Sequence, residues 1–244
     1  MEAVNITKSF GSVQALEKVS LSIRQGETLG LVGESGCGKS TLGRILLGLI
    51  PPSGGSVLYK GKELFSHSKE EQKRFRKELQ IIFQDPTASL NPRFRTIDTL
   101  SEPLHIHAIC RKEKIESHVE QLLRKVGLDE NFKYRYPHEL SGGEKQRIGI
   151  ARALATEPEF IVADEPVSSL DVSVQAQILE LLHTLQKTER LTMLFISHDL
   201  NIVRLLCDRI AVMYFGKLVE LASTEELFNQ PKHPYTQTLL AATL

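Results

Sequence analysis

A glycine-rich segment at residues 33–41, GESGCGKST, has residue types and a spacing that could bind phosphate, and we call it the phosphate loop. It satisfies the pattern G-x-x-x-x-G-K-[ST]. Glycine allows positive φ and a close approach of the backbone, so successive N–H groups can surround an anion. Lys39 is expected to reach the β- and γ-phosphates of a nucleoside triphosphate, and the Ser40 hydroxyl is suited to Mg²⁺. The predicted nucleotide-binding residues here are Gly33, Glu34, Ser35, Gly36, Cys37, Gly38, Lys39, Ser40 and Thr41.

Two carboxylates follow an apolar run in FIVADE, at residues 160–165. Asp164, at the end of the predicted strand, would hold Mg²⁺ through water. Glu165 would face the γ-phosphate and polarise the attacking water. Two acids after an apolar strand are common, so it is the phosphate loop upstream that favours this function.

A third segment, LSGGEKQR at residues 140–147, combines small residues with the start of a predicted helix. Ser141 is a good N-cap, and Gly142 and Gly143 leave the helix N–H groups accessible. The helix continues through Ile148 and Ala151. The segment therefore predicts a second anion-binding helix start.

Short apolar runs alternate with helical patterns along the chain. Strands are predicted at Leu16–Ile23, Thr28–Val32, Ser56–Tyr59, Gln80–Phe83, Phe160–Ala163, Thr192–Ile196 and Arg209–Tyr214. Helices are predicted from Leu42 to Leu49 with a stop at Pro51, at Lys69–Glu78, Glu116–Val126 and Val174–Gln186, and in the tail, where Pro234 begins the last one. This alternation predicts an α/β fold with a mostly parallel sheet. From Pro86 to about Thr156 helical patterns replace strands, which indicates an inserted helical lobe.

Length and composition limit the number of domains and the classes of partner and compartment that the chain can have. The 244 residues, 41% of them hydrophobic, suit one large domain with an embedded smaller lobe. The 30 basic and 30 acidic residues balance, which gives no reason to expect a nucleic-acid partner. No apolar run approaches ~20 residues, and the N-terminus is not expected to be a secretory signal. Three widely spaced cysteines do not suggest a disulfide framework, in agreement with a reducing cytosol.

Together these motifs resemble those of the nucleotide-binding subunits of ABC transporters. By that resemblance, Phe10 in KSFG is the aromatic residue that stacks on adenine, and Gln84 after QIIF contacts Mg²⁺ and water. His198 in ISHD contacts the γ-phosphate. Asp171 in SSLD belongs to the segment that crosses to the other subunit.

The resemblance has one departure, in the signature segment. The family usually has LSGGQ, and this chain has LSGGE with Glu144 at the last position. Ser141, Gly142 and Gly143 are retained, so these three residues and Glu144 are still expected to bind nucleotide. The carboxylate is expected to tune the contacts and not to abolish the site.

The resemblance implies an ABC ATPase of the P-loop NTPase class. The expected division is an ATP-binding core at residues 1–86 and 155–222, which includes an N-terminal antiparallel part, a helical signature subdomain at 87–154, and a helical tail at 223–244. ATP and Mg²⁺ are the expected cofactors, with Ser40, Gln84 and Asp164 at the metal and Glu165, His198 and Gln84 as catalytic residues. In this family two cassettes lie head to tail, and each phosphate loop faces the partner's signature helix.

Other kinds of ABC ATPase fit these motifs less well than a transporter subunit does. Chromosome-maintenance and repair ATPases place a long coiled coil between phosphate loop and signature, and translation-associated proteins usually carry two cassettes. A non-hydrolysing regulator would be expected to lack Glu165 or His198. A soluble repair or translation ATPase remains the alternative of another class.

Two segments favour one branch of importers. QDPTASLNPR at residues 84–93 and PKHPYTQTLLAATL at residues 231–244 resemble the second ATPase of oligopeptide, dipeptide and nickel importers. The expected cargo is oligo- or dipeptides, with nickel as the alternative.

The expected partners are a non-identical second ATPase, two membrane permease subunits and an external solute-binding protein, with no nucleic acid. The chain is expected to lie peripherally on the cytoplasmic face of the membrane, in contact with it only through the permease. An iron–sulfur site is not expected.

Two further possibilities concern thiols and imidazoles. His105, His107 and Cys110 offer three metal-ligand types within six residues, but ordinary residues of the helical lobe are the favoured interpretation. Cys37, inside the phosphate loop, is interpreted as a tolerated small residue rather than a redox switch.

Overall fold

Strands and helices alternate along the chain, of which the computed structural model describes residues 1–66 and 68–242. The strands are β1 (Glu2–Phe10), β2 (Val13–Ser22), β3 (Thr28–Val32), β4 (Gly54–Tyr59), β5 (Lys62–Glu63), β6 (Leu79–Ile82), β7 (Phe160–Asp164), β8 (Thr192–Ile196), β9 (Arg209–Tyr214) and β10 (Lys217–Ser223). The α-helices are α1 (Lys39–Leu46), α2 (Lys69–Glu78), α3 (Pro86–Ser89), α4 (Thr96–Ile106), α5 (Ile115–Lys125), α6 (Gly142–Leu154), α7 (Val172–Glu189), α8 (Leu200–Leu206), α9 (Thr224–Asn229) and α10 (Pro234–Ala241). Short 3₁₀ segments cover Lys112–Lys114, Glu130–Tyr134 and Pro137–Glu139. Residues 243 and 244 of the predicted tail lie outside the described residues.

The main sheet has the strand order β10-β9-β3-β8-β7-β6 over the described residues. Neighbours from β9 to β6 are parallel, and β10 is antiparallel to β9 at one edge. The prediction of a mostly parallel sheet in an α/β fold is therefore confirmed. Because parallel strands end at the same edge, the residues that follow β3, β6, β7 and β8 are brought together there.

Strand β3 lies inside this sheet, and all five of its residues are buried. Leu29 and Leu31 face a core that includes Leu42 of α1, and Val32 faces a second core that includes Ile178 of α7. Both faces of β3 are covered by apolar side chains, which explains why its sequence is a continuous apolar run. At its start, the Thr28 N–H donates to Asp208 Oδ2 at 2.8 Å, a contact between residues 180 positions apart.

A second, antiparallel sheet has the order β2-β1-β4-β5. No strand was predicted for Glu2–Phe10, although β1 pairs with two neighbours. Its fully buried residues, Ala3 and Ile6, are three positions apart, and the pairing with β2 contains register shifts. These irregularities remove the period-two pattern by which a half-buried strand is recognised.

Helix α1 ends earlier than predicted. Its last residue is Leu46, Gly48 follows with a φ of +69°, and the Leu49 N–H donates to the Arg44 carbonyl at 2.9 Å. A glycine in the left-handed region after the last turn is a common helix stop. The prediction that Pro51 stops the helix was wrong, and Leu49 is outside the helix and 55% exposed.

Between β6 and β7 the described chain contains helices and no strand. Helices α4, α5 and α6 share a core that includes Leu104, Val119 and Ile148. The exact division into an ATP-binding core and a signature subdomain at residues 87–154 stays a prediction.

The segment after β9 forms an additional strand and two helices. Strand β10 was not predicted, because its central residues are all half-buried and give no alternation. Pro234 begins α10, as predicted. No helix in the described part of the chain is long and apolar enough to cross a membrane.

Candidate active site

The phosphate loop connects the carboxyl end of β3 to α1, and two of its glycines are required by close contacts. Gly33 has a φ of +147°, and a Cβ there would lie 2.2 Å from the Met213 carbonyl oxygen. Gly38 has a φ of +104°, and its Cβ would lie 2.5 Å from the Ala15 carbonyl oxygen. Any larger residue at either position would push against the backbone of a neighbouring strand. Only glycine therefore allows this path of the loop.

Lys39 begins α1 and is 5% exposed. Its Nζ donates to the carbonyl oxygens of Gly33 at 2.7 Å and Glu34 at 2.9 Å. The loop therefore wraps around its own ammonium group. This places a fixed positive charge beside the free N–H groups at the start of α1, an arrangement suited to phosphate.

Ser40 and Asp164 meet across the end of the sheet. The Ser40 hydroxyl donates to Asp164 Oδ1 at 2.9 Å. Burial raises the pKa of the Asp164 carboxyl, and the hydrogen bond from Ser40 acts in the opposite direction. Two hard oxygen atoms side by side next to a phosphate-binding loop are ligands that fit Mg²⁺.

Glu165 lies at the meeting point of three strand ends. Its Oε2 accepts a hydrogen bond from Gln84 Nε2 at 3.1 Å, after β6, and lies 3.4 Å from His198 Nδ1, after β8. Its φ of +46° is unusual for a residue with a side chain, and such strain is often found at functional sites. Its side chain is 16% exposed, so the carboxylate is partly shielded while one face remains open. This geometry could orient a water molecule for attack on a phosphate.

Phe10 lies apart from these residues, at the end of β1 in the antiparallel sheet. Its side chain is 52% exposed, and Lys8 Nζ lies 5.1 Å from the centre of its ring. An exposed aromatic face beside a cation could stack on a nucleotide base.

The signature segment forms a capping box at the start of α6. Ser141 Oγ accepts the Glu144 N–H at 3.3 Å, and Glu144 Oε2 accepts the Ser141 N–H at 2.7 Å. Hydrogen bonds from the Ser141 N–H and, more weakly, from its hydroxyl hold the pKa of Glu144 below its ordinary value, with a smaller contribution from Arg135. The S-x-x-E spacing could have predicted this second bond, but only the Ser141 cap was expected. Glu144 therefore caps the signature helix, a role that the glutamine of LSGGQ could also fill.

Asp171 caps the next helix. Its Oδ1 accepts the Val174 N–H at 3.1 Å and the Ser173 hydroxyl at 2.8 Å. A Cβ at Gly143 would lie 2.5 Å from Val174 Cγ1, so the signature helix approaches the start of α7 closely. Asp171 and the signature glycines therefore belong to one surface.

The predicted residues form two groups in this single chain. The first is Lys39, Ser40, Gln84, Asp164, Glu165 and His198, and the second is Ser141, Gly142, Gly143, Glu144 and Asp171. Over the described residues no hydrogen bond or ion pair joins a member of one group to a member of the other.

Replacement of Glu144 by Gln is expected to lower the free energy of unfolding by up to about 1 kcal/mol at pH 7, because the charged cap at the helix N-terminus is lost. The pKa of Glu144 is lowered by folding, so this stabilisation is present above the unfolded pKa and is lost as the pH falls through the folded one. The difference between the two proteins should therefore shrink from pH 7 to about pH 3. Urea unfolding at both pH values measures it, with exposed Glu180→Gln as control. A difference that persists at low pH would contradict the charged cap.

The comparisons with known proteins decide the family. The sequence matches the family described as ABC transporter over residues 16–168. This chain belongs to the ABC transporter family. It is 54% identical over 237 residues to the oligopeptide transport ATP-binding protein OppF of Bacillus subtilis, covering 95% of this chain and 77% of that protein. It is 49% identical to the dipeptide transport ATP-binding protein DppF of Lactococcus lactis, covering 95% and 75%.

A solved structure agrees with these matches. The ATP-binding cassette MJ0796, solved as a dimer in a post-hydrolysis state bound to ADP and Pi, is 30% identical with a TM-score of 0.82, and 91% of this chain and 98% of that one are covered. The ABC ATPase fold expected from the motifs is thus confirmed, and the chain is a nucleotide-binding ATPase of this family.

Cysteine and histidine side chains were the remaining candidates for chemistry in this ABC ATPase. Among the described residues no group of histidine, cysteine and acidic side chains could hold a metal ion, which includes His105, His107 and Cys110. Cys37 is buried, and burial raises the pKa of its thiol despite the nearby charge of Lys39. A thiol that stays protonated is a poor redox switch, in line with a small, tolerated loop residue.

Proposed function

We propose that this chain is the ATP-hydrolysing subunit of an importer for oligopeptides or dipeptides. The observation that carries this is the identity of about half of all residues, over 95% of the chain, with transport proteins named for those two cargoes. The site geometry supports ATP hydrolysis, because the residues that would hold the phosphates and activate the water are together at one edge of the main sheet.

ATP would bind with its phosphates in the phosphate loop. The Lys39 ammonium and the N–H groups at the start of α1 would hold the β- and γ-phosphates, and the exposed ring of Phe10 would stack on adenine. Ser40, Asp164 and Gln84 would hold Mg²⁺, since the Gln84 amide donates to Glu165 and keeps its oxygen as an acceptor. The bound cation would supply charge neutralisation at the β- and γ-phosphate oxygens.

Hydrolysis would depend on the residues at the ends of β6, β7 and β8. Glu165 would accept a proton from the attacking water, and Gln84 would fix the position of its carboxylate. His198, 3.4 Å from the same oxygen and with a side chain 59% exposed, would contact the γ-phosphate. Gln84, which hydrogen-bonds the Glu165 carboxylate, and His198 thus follow different strands and flank it from two sides.

The second group of residues would complete the site of another cassette. Ser141, Gly142 and Gly143 present an α6 N-terminus, with Glu144 and Asp171 at the same surface. In a head-to-tail pair these groups would reach the γ-phosphate held by the partner's phosphate loop. ATP would then stabilise the closed pair because it contacts both halves, and hydrolysis would release it.

This ABC ATPase would work as part of a membrane complex. We infer a non-identical sister ATPase, two permease subunits and an external solute-binding protein as its partners. The chain would sit peripherally on the cytoplasmic face of the membrane and meet it through the permease. Nucleic acid has no place in this function.

Peptide uptake in the native host tests the proposal. Deletion of the gene is expected to reduce uptake of labelled trialanine to background, while uptake of labelled nickel ions stays unchanged. Plasmid-borne wild-type protein should restore uptake, and the Glu165→Gln variant should not, because import requires ATP turnover.

Three other results of the uptake experiment would contradict the proposal. Loss of nickel uptake alone would replace the peptide assignment by the nickel alternative. Unchanged uptake of both cargoes would overturn a role in importing either. Restoration by Glu165→Gln would show that uptake does not depend on this chain's ATP hydrolysis.

A further inference from the structure

Helix α10 brings an aromatic residue to the phosphate loop. Tyr235 Oη accepts the backbone N–H of Glu34 at 3.2 Å. The two residues are 201 positions apart, and no sequence signal connected them. The Tyr235 ring also lies against Tyr214 at the end of β9, with ring centres 4.1 Å apart and planes inclined by 32°. The hydroxyl is thus aimed at the loop by an aromatic pair.

Both backbone polar groups of Glu34 are hydrogen-bonded. Its N–H is bound by Tyr235, and its carbonyl oxygen accepts a hydrogen bond from Lys39 Nζ at 2.9 Å. A continuous chain of contacts therefore runs from the Tyr235 hydroxyl through Glu34 to the ammonium group. Because the Glu34 N–H is turned toward the tail, the orientation of that peptide is fixed before a phosphate arrives.

The opposite end of the loop is fixed from the same region. The Cys37 carbonyl accepts the Gly216 N–H at 3.1 Å, in the turn that follows β9. The Gly216 carbonyl in turn accepts the Glu17 N–H of β2 at 2.8 Å. The loop is thus bound at one end by a turn between strands and at the other by the tail.

The tail has the rigidity that such a contact needs. Glu220 of β10 accepts the N–H groups of Lys232 at 2.8 Å and His233 at 3.0 Å. His233 Nδ1 accepts the Tyr235 N–H at 3.2 Å and so caps α10. Leu240 of the same helix is buried in the core. These contacts fix α10 on β10, so the hydroxyl of Tyr235 is held at the loop.

We propose that Tyr235 is a positioning residue for ATP binding, which acts through Glu34 on the loop and on Lys39. Because the phosphate loop is itself proposed above to hold ATP, the role of Tyr235 rests on that function. In this role the Tyr235 side chain acts through the backbone of the loop and not by direct contact with the nucleotide. The Tyr235 hydroxyl lowers the free energy needed to order the loop around the triphosphate. Its loss should therefore weaken ATP binding and leave the rate of the chemical step nearly unchanged.

The Tyr235→Phe variant tests this, because it keeps the ring against Tyr214 and removes only the hydroxyl. The dissociation constant of a fluorescent ATP analogue with Mg²⁺, measured on the full chain, is expected to rise about fivefold, the effect of one lost hydrogen bond. KM for ATP should rise by a similar factor, and kcat should stay within about twofold of wild type. The thermal unfolding midpoint without nucleotide should fall by no more than about 4 °C, since only one hydrogen bond is lost.

The Tyr214→Phe variant is the matched control. It removes the other hydroxyl of the same aromatic pair, for which the described structure gives no hydrogen bond, and it should bind the analogue like wild type. Unchanged affinity in Tyr235→Phe would overturn the proposal, as would a fall in kcat with an unchanged KM for ATP. A wild-type chain that binds and hydrolyses ATP but supports no peptide uptake would remove the transport function and leave the role of Tyr235 intact.

Discussion

Replacement of Glu165 by Gln is expected to reduce ATP turnover by about 10²- to 10⁴-fold, the usual contribution of a positioned general base. The neutral amide has nearly the same shape but cannot accept a proton from water at neutral pH. Its neighbours Gln84 and His198 lie 3.1 and 3.4 Å from the carboxylate oxygen and can remain in place. Phosphate release over time measures the effect.

ATP binding should survive this change, because Lys39 and Ser40 are untouched. We expect the variant to hold ATP in a closed dimer with its partner cassette, detected as nucleotide that co-elutes with the dimer. Glu157→Gln, an exposed glutamate just before β7, is the matched control and should turn over normally. Turnover near the wild-type rate in Glu165→Gln would remove the general-base role.

Replacement of Lys39 by Ala is expected to weaken ATP binding by about 10²-fold or more. Lys39 is 5% exposed, and its ammonium group lies within the loop that would receive the phosphates. Truncating one member of a buried charge pair typically costs about 2–5 kcal/mol, and each 1.4 kcal/mol is a factor of ten in affinity. Titration with a fluorescent ATP analogue measures the loss.

The structure adds a second effect at this position. Lys39 Nζ also donates hydrogen bonds to the carbonyls of Gly33 and Glu34. Its removal therefore loosens the loop in addition to removing the positive charge. Lys39→Met keeps most of the side-chain volume and should lose nearly as much affinity, since the charge is the larger contribution. Lys73→Ala, on the exposed face of α2, is the control. Unchanged affinity in both Lys39 variants would contradict the assignment of the loop.

The parts of the site that were predictable from sequence are those encoded by local patterns. The phosphate loop has a fixed spacing between a buried strand and a helix, and Asp164 and Glu165 directly follow an apolar run. Parallel strands then bring such ends together, so the 2.9 Å contact of Ser40 with Asp164 follows from topology. The roles of Phe10, Gln84 and His198 depended on the family resemblance, because a single aromatic, amide or imidazole carries no pattern.

Other features could not be predicted because their causes are remote or irregular. The contact of Tyr235 with Glu34 depends on the packing of α10 over β10, a strand whose half-buried residues gave no periodic signal. Register shifts concealed β1. The end of α1 was misplaced because Gly48 ends the helix before the more conspicuous prolines.

The position of β3 in the main sheet has a consequence for how the chain is made. Its hydrogen-bonded neighbours are β8 and β9, and the Thr28 N–H finds Asp208 only 180 positions later. At a synthesis rate of about 5–20 residues per second, the ribosome needs roughly 10 to 40 s to deliver those partners. During that interval the apolar strand in front of the phosphate loop lacks its partners in the main sheet, so the nascent chain exposes a segment prone to aggregation.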